Sequence, residues 1–234
     1  MDFSYLDKNV SSVREKIDNA KKRCNAEFDC DVTLLAAVKY ATPEEIDYIH
    51  KNLNINDIGE NRVQQLLEHW EKIDHEGINL HFIGSLQTNK VKYIIDKVCM
   101  IHSLDSEKLA YEIDRQAKKA GRVMDVLTEV NSGEESSKGG VMPSDVEDFC
   151  AEIKKYENIN LRGFMTMAPK GCTSEEYMSY FGKTRRMCDA IWKDVLGRED
   201  KAVYSMGMSS SFEEAIISGA TIVRVGSNIF TKIQ

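Results

Sequence analysis

Near the start of the chain Leu6, Val10, Val13, Ile17 and Ala20 recur at spacings of four and three, with Asp7, Arg14, Glu15, Asp18 and Lys21 between them. An apolar stripe on that period predicts an amphipathic opening helix. Beyond it, short apolar runs occupy 33–38, 56–58, 80–83, 100–103, 123–130, 161–167, 202–205 and 222–225, separated by helical patterns. Each run has strand length and is bounded by turn or cap residues. Thr42-Pro43-Glu44-Glu45 combines an N-cap, a first-turn proline and a capping-box glutamate. Ser144 with Glu147 and Thr173 with Glu176 repeat the cap. The segment after Thr173 keeps Phe181, Cys188, Ile191 and Val195 on one face and is expected to be the longest helix.

Eight strands alternating with helices predict an α/β fold, a single (β/α)8 TIM barrel with an extra N-terminal helix, spanning 1–234 as one domain. No Pro, Gly or Ser-rich linker divides the chain. A doubly wound open sheet is the competing architecture, but it would carry a glycine-rich loop after its first strand. Lys39-Tyr40-Ala41-Thr42 is not one.

Acidic residues outnumber basic ones, 38 to 31, giving a net charge of −7, and the basic residues are scattered. That distribution argues against a nucleic-acid partner. Cys24, Cys30, Cys99, Cys150, Cys172 and Cys188 form no CxxC pair or His-linked metal pattern, so reduced thiols are expected. The polar N-terminus has no leader-like segment, and no apolar run reaches membrane-spanning length. The expectation is a soluble, cytoplasmic protein.

The barrel directs attention to the C-terminal ends of its strands, where functional groups of this fold collect. Lys39 follows the first strand, Glu60 and Asn61 the second, 84–89 the third and 205–211 the seventh; Arg224 to Ser227 close the eighth. A lysine at a strand exit is either a solvated end or a Schiff-base former. Ser209-Ser210-Ser211, ahead of a helical pattern at 212–217, either caps that helix or presents N–H and hydroxyl donors to an anion. Gly226-Ser227 adds a second backbone cradle at the loop where barrels commonly hold phosphate. Arg224, between Val223 and Val225, points either into the barrel or toward the helices, as a cation at the mouth or as half of a structural ion pair.

An imine-forming lysine must spend time as a neutral amine, which partial burial beside a second cation favours; Lys39 near Arg224 is expected to meet that condition. Amine, phosphate cradle and arginine together suit pyridoxal phosphate, whose aldehyde, phosphate and ring nitrogen need three partners. An arginine against the ring nitrogen keeps it unprotonated and weakens the ring as an electron sink, so holding the cofactor is easier to explain than carbanion chemistry. His81 reads as a satisfied barrel histidine, and His50, His69, His75 and His102 share no metal-ligand spacing. Met165-Thr166-Met167 and Met206-Gly207-Met208 read as core and loop.

Further blocks stand in order along the chain: Ala37-Val38-Lys39, Gly59-Glu60-Asn61-Arg62-Val63-Gln64, His81-Phe82-Ile83-Gly84 with Leu86-Gln87-Thr88-Asn89-Lys90, Arg162-Gly163-Phe164-Met165, Ser205-Met206-Gly207-Met208-Ser209 and Arg224-Val225-Gly226. On these, nearly the whole chain resembles the pyridoxal phosphate homeostasis proteins, the YggS/PROSC family. The resemblance implies one barrel like the N-terminal domain of alanine racemase, with pyridoxal 5'-phosphate held as an aldimine on Lys39. It implies that Ser209, Gly226 and Ser227 hold the phosphate, that Arg224 meets the ring nitrogen and that Asn61 lies by the ring. Departures fall at Ser85, at Ser210-Ser211, at Lys138-Gly139-Gly140 and at Ser227, a place often taken by threonine.

The implied function is intracellular cofactor homeostasis, with pyridoxal-phosphate-dependent apo-enzymes as candidate recipients. A monomer without robust catalysis is expected, with no catalytic residue and no metal assigned. The racemase relatives draw a catalytic tyrosine from a second, β-rich domain of the partner subunit, whereas this sequence ends at Gln234 soon after its eighth strand. The alternatives are a racemase acting with the barrel alone and a cofactor-free Schiff-base aldolase using a sugar phosphate.

Overall fold

Each of the eight apolar runs becomes a strand. The computed structural model, which describes residues 2–24, 27–28, 31–135 and 138–232, places β1 (Thr33–Ala37), β2 (Asp57–Glu60), β3 (Asn79–Phe82), β4 (Met100–Leu104), β5 (Met124–Val130), β6 (Ile159–Thr166), β7 (Val203–Met208) and β8 (Ile222–Val225) side by side in chain order. The sheet closes where β8 pairs in parallel with β1, Leu35 beside Arg224 and Ala36 beside Val225. This is the expected (β/α)8 barrel.

Around it lie α1 (Ser4–Lys22), α2 (Pro43–Leu53), α3 (Val63–Trp70), α4 (Glu107–Lys119), α5 (Val146–Ile153), α6 (Ser174–Ala190), α7 (Phe212–Ile217) and α8 (Ser227–Phe230). Between β3 and β4 the crossover holds a short 3₁₀ helix, Thr88–Tyr93. All five predicted apolar positions of α1 are buried, each Leu, Val and Ile among them contributing about 1.5–3 kcal/mol. Their partners are α7 and α8. From the same helix the Asn9 side chain donates to the carbonyls of Ile229 (2.8 Å) and Thr231 (3.0 Å), tying α1 to the end of α8.

Thr42 and Thr173 form the expected capping boxes with Glu45 and Glu176. Ser144 does not, because Pro143–Asp145 winds into a 3₁₀ turn and α5 starts one residue later with Asp145 at its N-cap and no side-chain cap bond. The helix after Thr173 is α-helical for 17 residues and continues as a π turn through Ile191–Val195. Only with that turn does it outrun α1, which has 19 residues.

Strand alternation divides two apolar environments. Ala36, Val38, Val223 and Val225 face the helix layer in the main core, whereas Leu35, Ile83 and Ile222 form a separate cluster. Arg224 alternates with the two valines and shares the face of Ile222, so its guanidinium points inward. The reduced-thiol expectation holds for Cys99, Cys150, Cys172 and Cys188, which are free, and is corrected at Cys24, which is disulfide-bonded. Pairing follows Cα separation in space, which spacing along a sequence does not report. Cys30 lies outside the described residues.

Candidate functional site

The β1 strand ends at Ala37, and a tight turn closed by the Ala41 N–H on the Val38 carbonyl (2.9 Å) carries Lys39 and Tyr40. The capping box of α2 starts immediately afterwards, so the turn has no freedom to drift. From α3 the Gln65 amide donates to the Lys39 carbonyl at 2.9 Å and fixes the turn from the other side. Lys39 itself is exposed, with Nζ 4.5 Å from the centroid of the Tyr40 ring. The expected partial burial of this amine is thereby corrected: the turn lifts it clear of the strand ends.

At the far end of the barrel sequence, two loops lock together. The Gly226 N–H donates to Ser209 Oγ (3.2 Å) and the Asn228 side chain to the Ser209 carbonyl (2.9 Å). The Ser209 hydroxyl therefore accepts from Gly226 while its own proton remains available to a ligand. A Cβ on Gly226 would stand 2.8 Å from the Ala37 carbonyl oxygen. Glycine is what allows the β8 loop to lie against the end of β1, bringing the serines beside the Lys39 turn.

These loops enclose a cavity of about 320 Å³ lined by Lys39, Asn61, Ser209, Arg224, Gly226 and Ser227, all six residues singled out from the sequence. The volume falls at the small end of ligand pockets. Ser209, Ser210 and Ser227 line the cavity together with Lys39, which bears a primary amine, and Arg224. The set is suited to an anion that also carries an electrophilic carbon.

The sequence reading missed several lining residues, Tyr40, Ile83, Met167, Met208 and Phe230, which supply apolar wall, whereas Ser210 of the expected serine cradle does line the cavity. The one signal for the missed residues was adjacency, since Tyr40 follows Lys39 and Met208 precedes Ser209. Glu60 proves to be no part of the cavity. It is fully buried, with Oε1 2.5 Å from His69 Nδ1 and Oε2 without a partner among the described residues, and burial raises its pKa. None of the expected 84–89 segment lines the cavity, although Ile83, just before it, does. Gly84 instead packs against the Asn61 backbone, where a Cβ would meet the carbonyl oxygen at 2.1 Å.

Arg224 is 4% exposed and donates to the Ser205 carbonyl and hydroxyl, both at 2.6 Å, and to the Thr166 carbonyl at 3.0 Å. Burial pulls its pKa down to about 10, opposed by the charge of Glu129, so it remains a cation at neutral pH. Its acceptors are neutral oxygens; the sequence-level alternative of a structural ion pair is not realised among the described contacts. His81 is a satisfied barrel histidine, bonded to His102 and Asp57. No group of His, Cys, Asp and Glu among the described residues could hold a metal ion, and no described helix is long and apolar enough to cross a membrane.

Glu129, near the end of β5, is 7% exposed. Burial first and the Asp105 charge second push its pKa from 4.5 up to about 7, against the pull of Arg224. A carboxyl whose folded pKa is raised contributes stability that is fully present below its unfolded pKa and lost as pH rises through the folded one. Stability is therefore expected to fall between about pH 4.5 and pH 7, by on the order of 3 kcal/mol from this group. Glu129→Gln removes that share of the slope. Urea denaturation across a pH series checks it, and equal slopes for the two proteins would contradict the assignment.

The pattern of the family described as alanine racemase, N-terminal domain, matches residues 9–232. The pyridoxal phosphate homeostasis protein of Aquifex aeolicus (strain VF5) is 42% identical over 224 residues, 94% of this chain and 95% of that protein. The pyridoxal phosphate homeostasis protein of Escherichia coli (strain K12) is 30% identical over 230 residues, 95% of this chain and 94% of that one. Among solved structures, PipY of Synechococcus elongatus PCC7942 with PLP bound superposes with a TM-score of 0.83 at 26% identity, covering 97% of this chain and 100% of its own.

Proposed function

This chain belongs to the alanine racemase N-terminal domain family, and on that premise we propose that it holds pyridoxal 5'-phosphate reversibly and serves the intracellular homeostasis of that cofactor. The observation that carries the reading is the convergence of Lys39, Asn61, Ser209, Arg224, Gly226 and Ser227 on one cavity. The relatives named for this cofactor, and the similar structure that contains it, point the same way.

Pyridoxal phosphate supplies an aldehyde that condenses with amines and a ring that draws electrons from what is attached to it. In the proposal, Lys39 Nζ bonds to the aldehyde carbon with release of one water. Because the amine stands exposed on its turn, water can return and reverse the bond, as a carrier requires. Ser209 and Ser227 receive the phosphate, Gly226 seats their two loops together against the end of β1, and Asn61 borders the ring. Arg224 meets the ring nitrogen as a donor that cannot give up its proton at neutral pH. A ring so held is a weak electron sink, which suits storage or delivery to pyridoxal-phosphate-dependent apo-enzymes better than catalysis, and a monomer suffices for it.

The competing reading is racemisation, which needs two acid/base groups on opposite faces of a substrate. Besides Lys39 and Arg224, Tyr40 is the remaining ionisable side chain among the described residues lining the cavity, but the lysine amine lies over its ring, so the two stand together rather than across from one another. The test separates phosphate capture from simple amine chemistry. Pyridoxal, which has the aldehyde and no phosphate, is expected to bind at least about a hundredfold more weakly than pyridoxal phosphate, because several charge-assisted hydrogen bonds are lost. Absorbance titration measures both, and equal affinities would remove the cradle from the account.

A further inference from the structure

A continuous line of buried polar side chains crosses the barrel interior. Arg224 Nη1 is 2.6 Å from Ser205 Oγ, Ser205 Oγ 2.9 Å from His102 Nδ1, His102 Nε2 2.9 Å from His81 Nδ1, and His81 Nε2 3.1 Å from Asp57 Oδ1. His102 and Ser205 have no exposure, and His81 and Arg224 have 4% each. Asp57 begins β2 and so lies at the end of the barrel opposite the cavity, with its side chain a quarter exposed. The four bonds join β8, β7, β4, β3 and β2, residues far apart in sequence.

The chemistry at each end fixes the direction of every bond between. Arginine has no acceptor, so Arg224 donates to Ser205 Oγ. The described partners of that hydroxyl are Arg224 and His102, so its proton goes to His102 Nδ1. A neutral His102 then carries its proton on Nε2 and donates to His81 Nδ1. From the other end, the Asp57 carboxylate only accepts, so His81 must donate from Nε2 and accept at Nδ1. Both derivations give the same arrangement. Burial above all, with the charge of Arg224, holds the His102 pKa well below its usual range, in keeping with a neutral ring.

We propose that Arg224→Ser205→His102→His81→Asp57 is a one-way hydrogen-bond chain that orients the Arg224 guanidinium at the cavity, making Asp57, at the opposite end of the barrel, a positioning residue for the site. Its bearing on cofactor binding rests on the reading that Arg224 meets the cofactor ring; the chain itself does not, so it is tested on protein free of pyridoxal phosphate.

Two-bond ¹H–¹⁵N correlation spectra of protein labelled at histidine and arginine report tautomers directly. The expected result is a neutral ring with its proton on Nε2 for both His81 and His102. A proton on Nδ1 of either ring, or an imidazolium at His81, overturns the proposal. In Asp57→Ala, the Arg224 Nη protons are expected to exchange with water at least about fivefold faster, as a bond weakened at one end loosens the other. The indole N–H of Trp192, bonded to the Asp200 carbonyl at 2.7 Å away from the chain, serves as the reference. Unchanged Arg224 exchange, or equal acceleration at Trp192, shows that Asp57 does not position the arginine.

Discussion

Replacing Lys39 by alanine is expected to weaken pyridoxal phosphate retention at least about a hundredfold, since a covalent tether is exchanged for phosphate and ring contacts alone. Little else should change. Lys39 is exposed and its turn is held by backbone bonds and by Gln65, none of which uses the lysine side chain. The melting temperature of the unliganded protein is therefore expected to stay put, because surface substitutions of this kind move stability by no more than about 0.5 kcal/mol. Equilibrium dialysis and thermal denaturation together make the check. Loss of binding accompanied by unfolding would mean that the turn depends on the amine, contrary to the contacts described.

The second large effect falls on a residue outside the cavity. In Gly84→Ala the new methyl carbon would stand 2.1 Å from the Asn61 carbonyl oxygen, 2.8 Å from its carbon and 2.9 Å from its Cα. All three are backbone atoms, so no side-chain rotation relieves the overlap, and the β3 loop or the segment bearing Asn61 must move. A cost of about 2–3 kcal/mol is expected, at the level of overpacking in a well-packed core. Because Asn61 lines the cavity, cofactor affinity should fall with it. Urea denaturation measures the first part and absorbance titration the second. Wild-type stability in this variant would show that the two loops are looser than their contact implies.

What could be read from the sequence follows from which interactions are local. Strands β1 to β8 were legible because each apolar run is bounded by turn or cap residues, and the two capping boxes because they act over three residues. The six cavity residues were legible because barrel topology sends every strand exit to one mouth. Ser144 failed as a cap because the neighbouring Pro143 starts a 3₁₀ turn, a choice between two local geometries that composition leaves open. Lys39 was expected to be partly buried, but its exposure depends on the turn to Ala41 rather than on the strand pattern. Glu60 sits at a strand exit like the others, yet its carboxylate turns back to His69 of α3.

The interior chain was the least legible feature. His81 and Arg224 stood out as polar residues in apolar strands, but His102 and Ser205, which join them, are 103 positions apart. Only closure of the sheet brings them within bonding distance. The same closure sets Arg224 beside Leu35 and so fixes the inward side of β8, which alternation alone left as one of two possibilities.

The central claim is that Lys39 is the attachment point of pyridoxal phosphate. Borohydride reduction of protein saturated with the cofactor, followed by peptide mass mapping, tests it most directly, because reduction makes any carbon–nitrogen double bond permanent. The account predicts a single pyridoxyl-phosphate adduct, on the peptide that contains Lys39. An unmodified Lys39 in fully saturated protein, or an adduct confined to another lysine, would contradict it.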